Sequence, residues 1–434
     1  MKSNRLTRTV SNISNLSKSS KNGSKNGSKA NSKVNSAATS RAGTPDGEYE
    51  NPLENIARWR LTANAVALRS GAAFAFGLQN LSAPVPPAAN RVIWLDSTLS
   101  EWSGPEKIRV DVYLPPHTKA GKPTGNFPAV VNFHGGGFIL GQGTDDARWA
   151  GAVASALNAV VFSVSYRLAP GYPFPTPVED AADSILQIVA RADEFLLDKS
   201  KVFVSGFSAG GTLALASWNL LQEPERWGYE LKFPVLEISG IVLFYPLLDW
   251  TITRPMKRET CGRPDMTLPK GMTDLFDASY VYPPRPRSER DDPRLSPGLM
   301  TDEMIDRLPP IHLCMCEYDM LLLEGQKFAE RVQTRGGRIS TRVVDTEKHA
   351  WDKPPPFTPK ESVMVEYHKA IDALRGWLGL GALESDEIFD GTIPRIEITN
   401  DSEDNIQYSV THCFIQPTET LAARASEQPM PRLV

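Results

Sequence analysis

Residues 201–221 read KVFVSGFSAGGTLALASWNLL. An apolar, β-branched run meets glycine at Gly206. Three residues of sharp turn follow, and the chain then enters a sequence of strong helix formers. Gly206, Ser208 and Gly210 spell G-x-S-x-G in the setting that gives this short pattern meaning: strand, tight turn, helix. Small residues at 206 and 210 let the turn close without a Cβ clash, and Ser208 is then held in a strained conformation with its hydroxyl beside a helix N-terminus. The pattern alone discriminates poorly, since a chain of this composition shows it by chance about one time in seven.

Outward from this stretch, strand-like runs recur near 91–96, 108–114, 128–133, 159–165, 201–206, 239–245, 310–316 and 339–345. Helical windows fall between several of them, at about 145–157, 177–192, 210–222, 321–334 and 360–378. PAVVNF, AVVFSV and GIVLFY are apolar on both faces, as strands covered by helices on both sides must be. The alternation predicts a mostly parallel, doubly wound α/β sheet of eight strands over residues 89–380. Residues 49–88 are mostly helical and end at the Pro84–Pro87 cluster. Residues 251–300, rich in Pro, Arg, Asp and Met, are too long for a plain loop and are expected to form an inserted lobe.

Upstream, the strand AVVNF runs into His134-Gly135-Gly136-Gly137-Phe138. The HGGG tetrad is expected by chance in only about two chains per thousand. Three glycines let backbone approach a reacting centre and turn N–H groups toward it, which suits the oxyanion of a tetrahedral intermediate. Gly136 and Gly137 are the candidate donors, with the Ala209 N–H as a third, and Gly135 shapes the turn. A phosphate-cradling loop would need a following Lys-Ser/Thr, and none is present. His134 is expected to brace the loop rather than carry a proton.

A serine nucleophile needs a base, and the base needs an orienting acid. Of six histidines, His349 stands just after the strand TRVVD, where a catalytic loop belongs. His312 lies within a strand, His368 in the final helix, His117 in a Pro-rich turn and His412 near the C-terminus. The strand IHLCMC ends in Glu317-Tyr318-Asp319, at the carboxyl edge where open α/β sheets place their sites. Asp319 and Glu317 both qualify as the acid on position alone. With Asp319 the order Ser208, Asp319, His349 is the one expected when the nucleophile follows the fifth strand.

The net charge of −4 is a sum over unlike parts. Residues 1–43 carry nine Lys/Arg and no carboxylate, which leaves 38 basic against 51 acidic residues in the remainder. An acidic body argues against nucleic acid as the main partner. Four cysteines (Cys261, Cys314, Cys316, Cys413) give neither a disulfide framework nor zinc spacing, and fit a reducing compartment. Residues 1–48, with the repeat KNGS, KNGS, KANS, KVNS, bury too little apolar surface to fold and are expected to form a basic disordered tail. A competing reading is a mitochondrial presequence, because Leu6, Val10, Ile13 and Leu16 recur at helical spacing among Arg5, Arg8 and Lys18. Residues 381–434 are expected to be an acidic, largely disordered tail with a short strand near 406–414. No apolar stretch is long enough to span a bilayer.

HGGGF, YRLAP (Tyr166–Pro170), GFSAGG, YPLLD (Tyr245–Asp249), EYDML and HAW together resemble the hormone-sensitive-lipase-like branch of the α/β-hydrolase fold esterases, over roughly residues 90–378. HAWDKP is similar to the fungal members. The resemblance implies an α/β-hydrolase fold with a helical cap built from about 50–85 and 251–300, and it implies that Asp319 rather than Glu317 is the triad acid. It departs from the branch at Gly171, where Glu is common, and at Leu323, where a second Asp is common; neither position carries chemistry. The implied activity is hydrolysis of small-molecule carboxylic esters by Ser208, Asp319 and His349, with no metal or organic cofactor, in the cytoplasm if no presequence operates. An amidase or formamidase on the same site, and a non-catalytic ligand-binding relative, are the competing readings. Phe138, Trp149, Trp250 and the methionines of the insertion are the expected apolar walls of the substrate pocket.

Overall fold

A computed structural model describes residues 51–81, 84–99, 106–115, 125–235, 237–353 and 359–383, and the backbone of 395–400 and 406–411. The expectations for residues 1–48, including the presequence, and for most of 381–434 lie outside the described residues.

The sheet contains β1 (Arg91–Asp96), β2 (Lys107–Tyr113), β3 (Phe127–Phe133), β4 (Val160–Ser165), β5 (Leu197–Phe207), β6 (Gly240–Phe244), β7 (Ile311–Tyr318) and β8 (Ile339–Lys348). Its order is β1-β2-β4-β3-β5-β6-β7-β8. The pairs β1/β2 and β2/β4 are antiparallel and the rest are parallel. The fold is therefore the eight-stranded, mostly parallel one expected. Helices fill the connections: α1 (Arg58–Gly77), α2 (Ala147–Leu157), α3 (Thr176–Ala190), α4 (Ala192–Phe195), α5 (Ala209–Gln222), α6 (Arg254–Glu259), α7 (Lys270–Tyr280), α8 (Asp302–Ile305), α9 (Leu322–Thr334) and α10 (Glu361–Trp377).

Alternation along each strand divides the core in two. Val130, Phe203, Phe207 and Phe244 pack with Trp149 of α2 and Tyr367 and Leu374 of α10 on one face. Val131, Val204 and Leu243 pack with Leu186 of α3, Leu213 of α5 and Phe328 of α9 on the other. The chain leaves β3 for β4 on one side and then crosses to β5 on the other. The carboxyl ends of β3 and β5 thus flank the switch point, where a crevice must open.

The 251–300 segment carries α6 and α7, and α7 packs against α1. Asn51 Nδ2 donates to Asp274 O at 2.8 Å, and Arg254 pairs with Asp277 at 2.7 Å, both side chains buried. Arg69 of α1 donates to Ile139 O at 2.6 Å and Ala169 O at 2.7 Å, while Arg58 donates to Pro170 O at 2.8 Å. Two arginines thus fasten α1 to the loops beyond β3 and β4.

Near the C-terminus, β9 (Arg395–Asn400) and β10 (Ile406–Thr411) form an antiparallel pair. The sequence signalled the second strand. The first escaped because the Ile396/Ile398 alternation is short and sits in a stretch dominated by acids.

Candidate active site

Ser208 stands between β5 and α5 with φ 52° and ψ −118°, far from the wells that a residue with a Cβ prefers. Its N–H donates to Phe244 O at 2.8 Å, and its carbonyl accepts the Thr212 N–H at 3.0 Å. The turn closes this tightly only because its flanks lack side chains. A Cβ on Gly206 would stand 2.2 Å from Gly210 O, and one on Gly210 would stand 1.9 Å from Phe133 O. The glycines at 206 and 210 are therefore a steric requirement of bringing α5 against the end of β3.

Ser208 Oγ lies 2.8 Å from His349 Nε2, and His349 Nδ1 lies 2.6 Å from Asp319 Oδ2. A carboxylate only accepts, so Nδ1 carries the ring proton and Nε2 is left to accept from the serine hydroxyl. Asp319 and His349 are both buried, and the second oxygen of Asp319 accepts the Leu321 N–H at 3.0 Å. Glu317 points elsewhere: its carboxylate accepts the Thr346 N–H at 2.6 Å, across the irregularity between β7 and β8. The ambiguity between the two acids is thereby resolved in favour of contact between Asp319 and His349.

Behind Phe133 the chain turns through Gly136 at φ 114° and Gly137 at φ 59°. A Cβ on Gly136 would stand 2.4 Å from Leu140 O, and one on Gly137 would meet the Phe276 ring of α7 at 2.2 Å. Among the described residues, neither the Gly136 nor the Gly137 N–H has a backbone acceptor. Ala209 opens α5, where a helix has no internal acceptor to offer its first N–H groups. Gly135 lies under Ser208, its missing Cβ 3.5 Å from Ser208 Cβ. His134 is fully buried, its ring stacked on Tyr166 at 4.3 Å, and its Nδ1–H donates to Gly135 O at 2.7 Å. Burial pushes its pKa down to about 4, so the ring is a neutral brace. Tyr166 completes the support by donating to His134 O at 2.9 Å.

One group of side chains at this site went unread in the sequence. Lys353, four residues past His349, reaches Asp146 at 2.6 Å and Asp352 at 2.9 Å. It also sits 3.6 Å from the centroid of Phe207, which precedes Ser208. Asp146 accepts from Asn132 of β3 at 2.8 Å, and Asn132 accepts from Ser205 of β5 at 2.7 Å. Asp352 accepts from Tyr367 at 2.7 Å and from Tyr245, whose ring lies edge-on to His349 at 4.8 Å. Burial alone would lower the ammonium's pKa, but the two carboxylates outweigh it and raise it. A buried cation thus joins the strands that lead into the glycine loop and Ser208 to the loop of His349. HAWDKP was the available signal, yet Asp146 is 207 residues away and nothing local announces it.

One expected wall residue is misplaced. Trp149 is buried on the α2/α10 face of the sheet, where it packs edge-on to Phe244 at 5.2 Å and donates to Ser205 Oγ at 3.1 Å. Its position in α2 directs it to the core beneath β5 and β6, away from the glycine loop. Phe138 and Trp250 do gather with Tyr280 of α7, and Phe138 stacks on Tyr280 at 3.7 Å.

Residues 130–353 match the family model described as alpha/beta hydrolase fold. The chain belongs to the α/β-hydrolase family. Among its relatives, carboxylesterase NlhH of Mycobacterium tuberculosis is 28% identical over 268 residues, covering 61% of this chain and 78% of that protein. An arylesterase of Saccharolobus solfataricus is 30% identical over 239 residues, covering 54% and 72%. Among solved α/β-hydrolases, the carboxylesterase EstE1 from a metagenomic library superposes with a TM-score of 0.59 at 27% identity, over 73% of this chain and 99% of that one. The motif-based assignment to the hormone-sensitive-lipase-like branch stands with these matches. No described helix is long and apolar enough to cross a membrane.

Proposed function

We propose that this α/β-hydrolase is a carboxylic ester hydrolase acting through Ser208, His349 and Asp319. The observation that carries the reading is the unbroken contact chain of 2.8 Å and 2.6 Å from hydroxyl to imidazole to carboxylate. His349 Nε2 takes the Ser208 proton as Oγ attacks the ester carbonyl. Asp319 holds the tautomer and stabilises the imidazolium. The oxyanion is received by the amides of Gly136, Gly137 and Ala209, each donor of this kind being worth about 10²–10³ in rate. His349 then gives its proton to the departing alcohol oxygen, leaving an ester between Ser208 Oγ and the acyl group. Water, deprotonated by the same imidazole, attacks the acyl carbonyl; the bond to Ser208 Oγ breaks, His349 returns the proton to Oγ, and the acid leaves. Residues 50–85 and 251–300 serve as the cap over the acyl and alcohol groups, with Phe138, Trp250, Tyr280 and Phe276 supplying an apolar, aromatic wall. The esterase names of the relatives point the same way.

Ser208→Ala should lose turnover of p-nitrophenyl esters by at least about 10³-fold while keeping its fold. It should also lose covalent labelling by a fluorophosphonate probe. Parent-level hydrolysis by a folded Ser208→Ala protein would sink the proposal.

A further inference from the structure

The helix α1 is apolar on two sides. Leu61 and Ala65 are fully buried, and Arg58 and Arg69 tie the inner face to the loops below. On the outside, Trp59 is 70%, Val66 50%, Phe74 72% and Leu81 73% exposed. These four follow one another at intervals of seven, eight and seven residues, each close to two helical turns, so they line up along α1 and the 3₁₀ turn (Leu78–Leu81) that continues it. Large apolar side chains spread along this face for about 30 Å make an exposed apolar stripe.

The sequence segment that carries the stripe has charge of one sign. No Asp or Glu occurs from residue 55 to residue 95, while Arg60 lies beside the Trp59 ring at 5.5 Å. Further upstream, residues 1–43 add nine Lys/Arg and no acid; only their composition enters here. A second copy of the chain would set these basic residues against equally basic ones. An anionic lipid surface instead offers apolar depth for the stripe and negative headgroups for the arginines and lysines.

We propose that the outer face of α1 docks on an anionic lipid surface, with Trp59, Val66, Phe74 and Leu81 entering the headgroup boundary and the basic residues attracting the membrane. Arg69 joins this helix to Ile139, two residues beyond Gly137, so docking presents the glycine-loop end of the molecule to the bilayer. Esters dissolved in lipid would then reach the site directly. The docking itself stands independently of the role given to Ser208.

The test is flotation of the full chain with vesicles of phosphatidylcholine alone and of equimolar phosphatidylcholine and phosphatidylglycerol. Trp59→Glu, Phe74→Glu and the double variant run alongside. The parent should float with the anionic vesicles, stay off the neutral ones and be released as ionic strength rises. Each single substitution should weaken partitioning on the order of tenfold. Thermal melting, unchanged in these outward-facing variants, shows that the fold is intact, and the single variants serve if the double one does not fold. A parent chain that ignores anionic vesicles would overturn the proposal. So would a double variant that floats like the parent, because the basic segment alone would then suffice. A parent that stays off vesicles but forms a dimer dispersed by Trp59→Glu would make the stripe a self-association surface instead. Flotation requires no turnover, so its failure and failure of the hydrolase reading are separate results.

Discussion

The two halves of the site are built by different means. On the Ser208 side, geometry comes from backbone: Gly206 and Gly210 let α5 meet β3, and Gly136 and Gly137 turn the chain through left-handed conformations. On the histidine side, geometry comes from side chains of distant segments, Asp319, Tyr245, Asp352, Lys353 and Asp146, meeting in a buried polar cluster. The first kind is specified by what is missing, a Cβ, and tolerates no addition. The second is specified by charge balance, and a single deletion leaves ions buried without partners.

Four substitutions or titrations probe this contrast, ranked by expected loss of turnover at neutral pH. Asp319→Asn keeps the shape but presents an amide where a carboxylate fixed the tautomer. Turnover of p-nitrophenyl butyrate should fall on the order of 10⁴-fold. A loss below about tenfold would return the acid role to Glu317. Gly210→Ala places a methyl group 1.9 Å from Phe133 O, so α5 must move and carry the Ala209 amide with it. Turnover should fall about 10²-fold or more, with unfolding in urea weakened by roughly 3 kcal/mol.

Lys353→Met acts on the other half. Two buried carboxylates lose their common cation, and stability should drop by about 3–5 kcal/mol. Assayed well below its melting temperature, the variant should show kcat reduced roughly tenfold as His349 loses its mooring, with KM little changed. Equal loss of kcat in a Gly210→Ala-like all-or-none manner would erase the distinction between the halves. The smallest effect at neutral pH is His312→Leu. Burial lowers the pKa of His312 to about 4 from its ordinary 6.5, as it does for His134. The unfolded chain therefore binds these protons first, and stability present above pH 6.5 is lost as pH falls toward 4, by roughly 3 kcal/mol per histidine. Asp145, raised to about 7 by burial and by Asp146, opposes this by favouring the fold at lower pH. Urea titrations at several pH values should show the acid slope shallower by about one proton in His312→Leu.

Legibility followed the same division. Strand runs such as PAVVNF and GIVLFY fell within a residue or two of β3 and β6, because apolarity on both faces is forced by helices on both faces. HGGG and GFSAGG could be read because a glycine requirement is local. The choice between Glu317 and Asp319 was open on position, since it turns on which carboxylate the bulge between β7 and β8 diverts to Thr346. Trp149 was misassigned because its residue type suits a pocket wall and a core equally well, and only the facing of α2 decides. Lys353 was invisible for a related reason: its partner Asp146 is joined to it through the fold alone.

Phe276 of α7 lies against the bare Cα of Gly137, and Tyr280 of the same helix stacks on Phe138. The segment that would select a substrate and the segment that would stabilise its charge therefore share a van der Waals surface. On the proposed mechanism, transplanting 251–300 from a relative would rewrite more than substrate preference, because the incoming side chain at 276 would set how closely the amide at 137 approaches the reacting oxygen. Specificity and rate in this scaffold are inherited together.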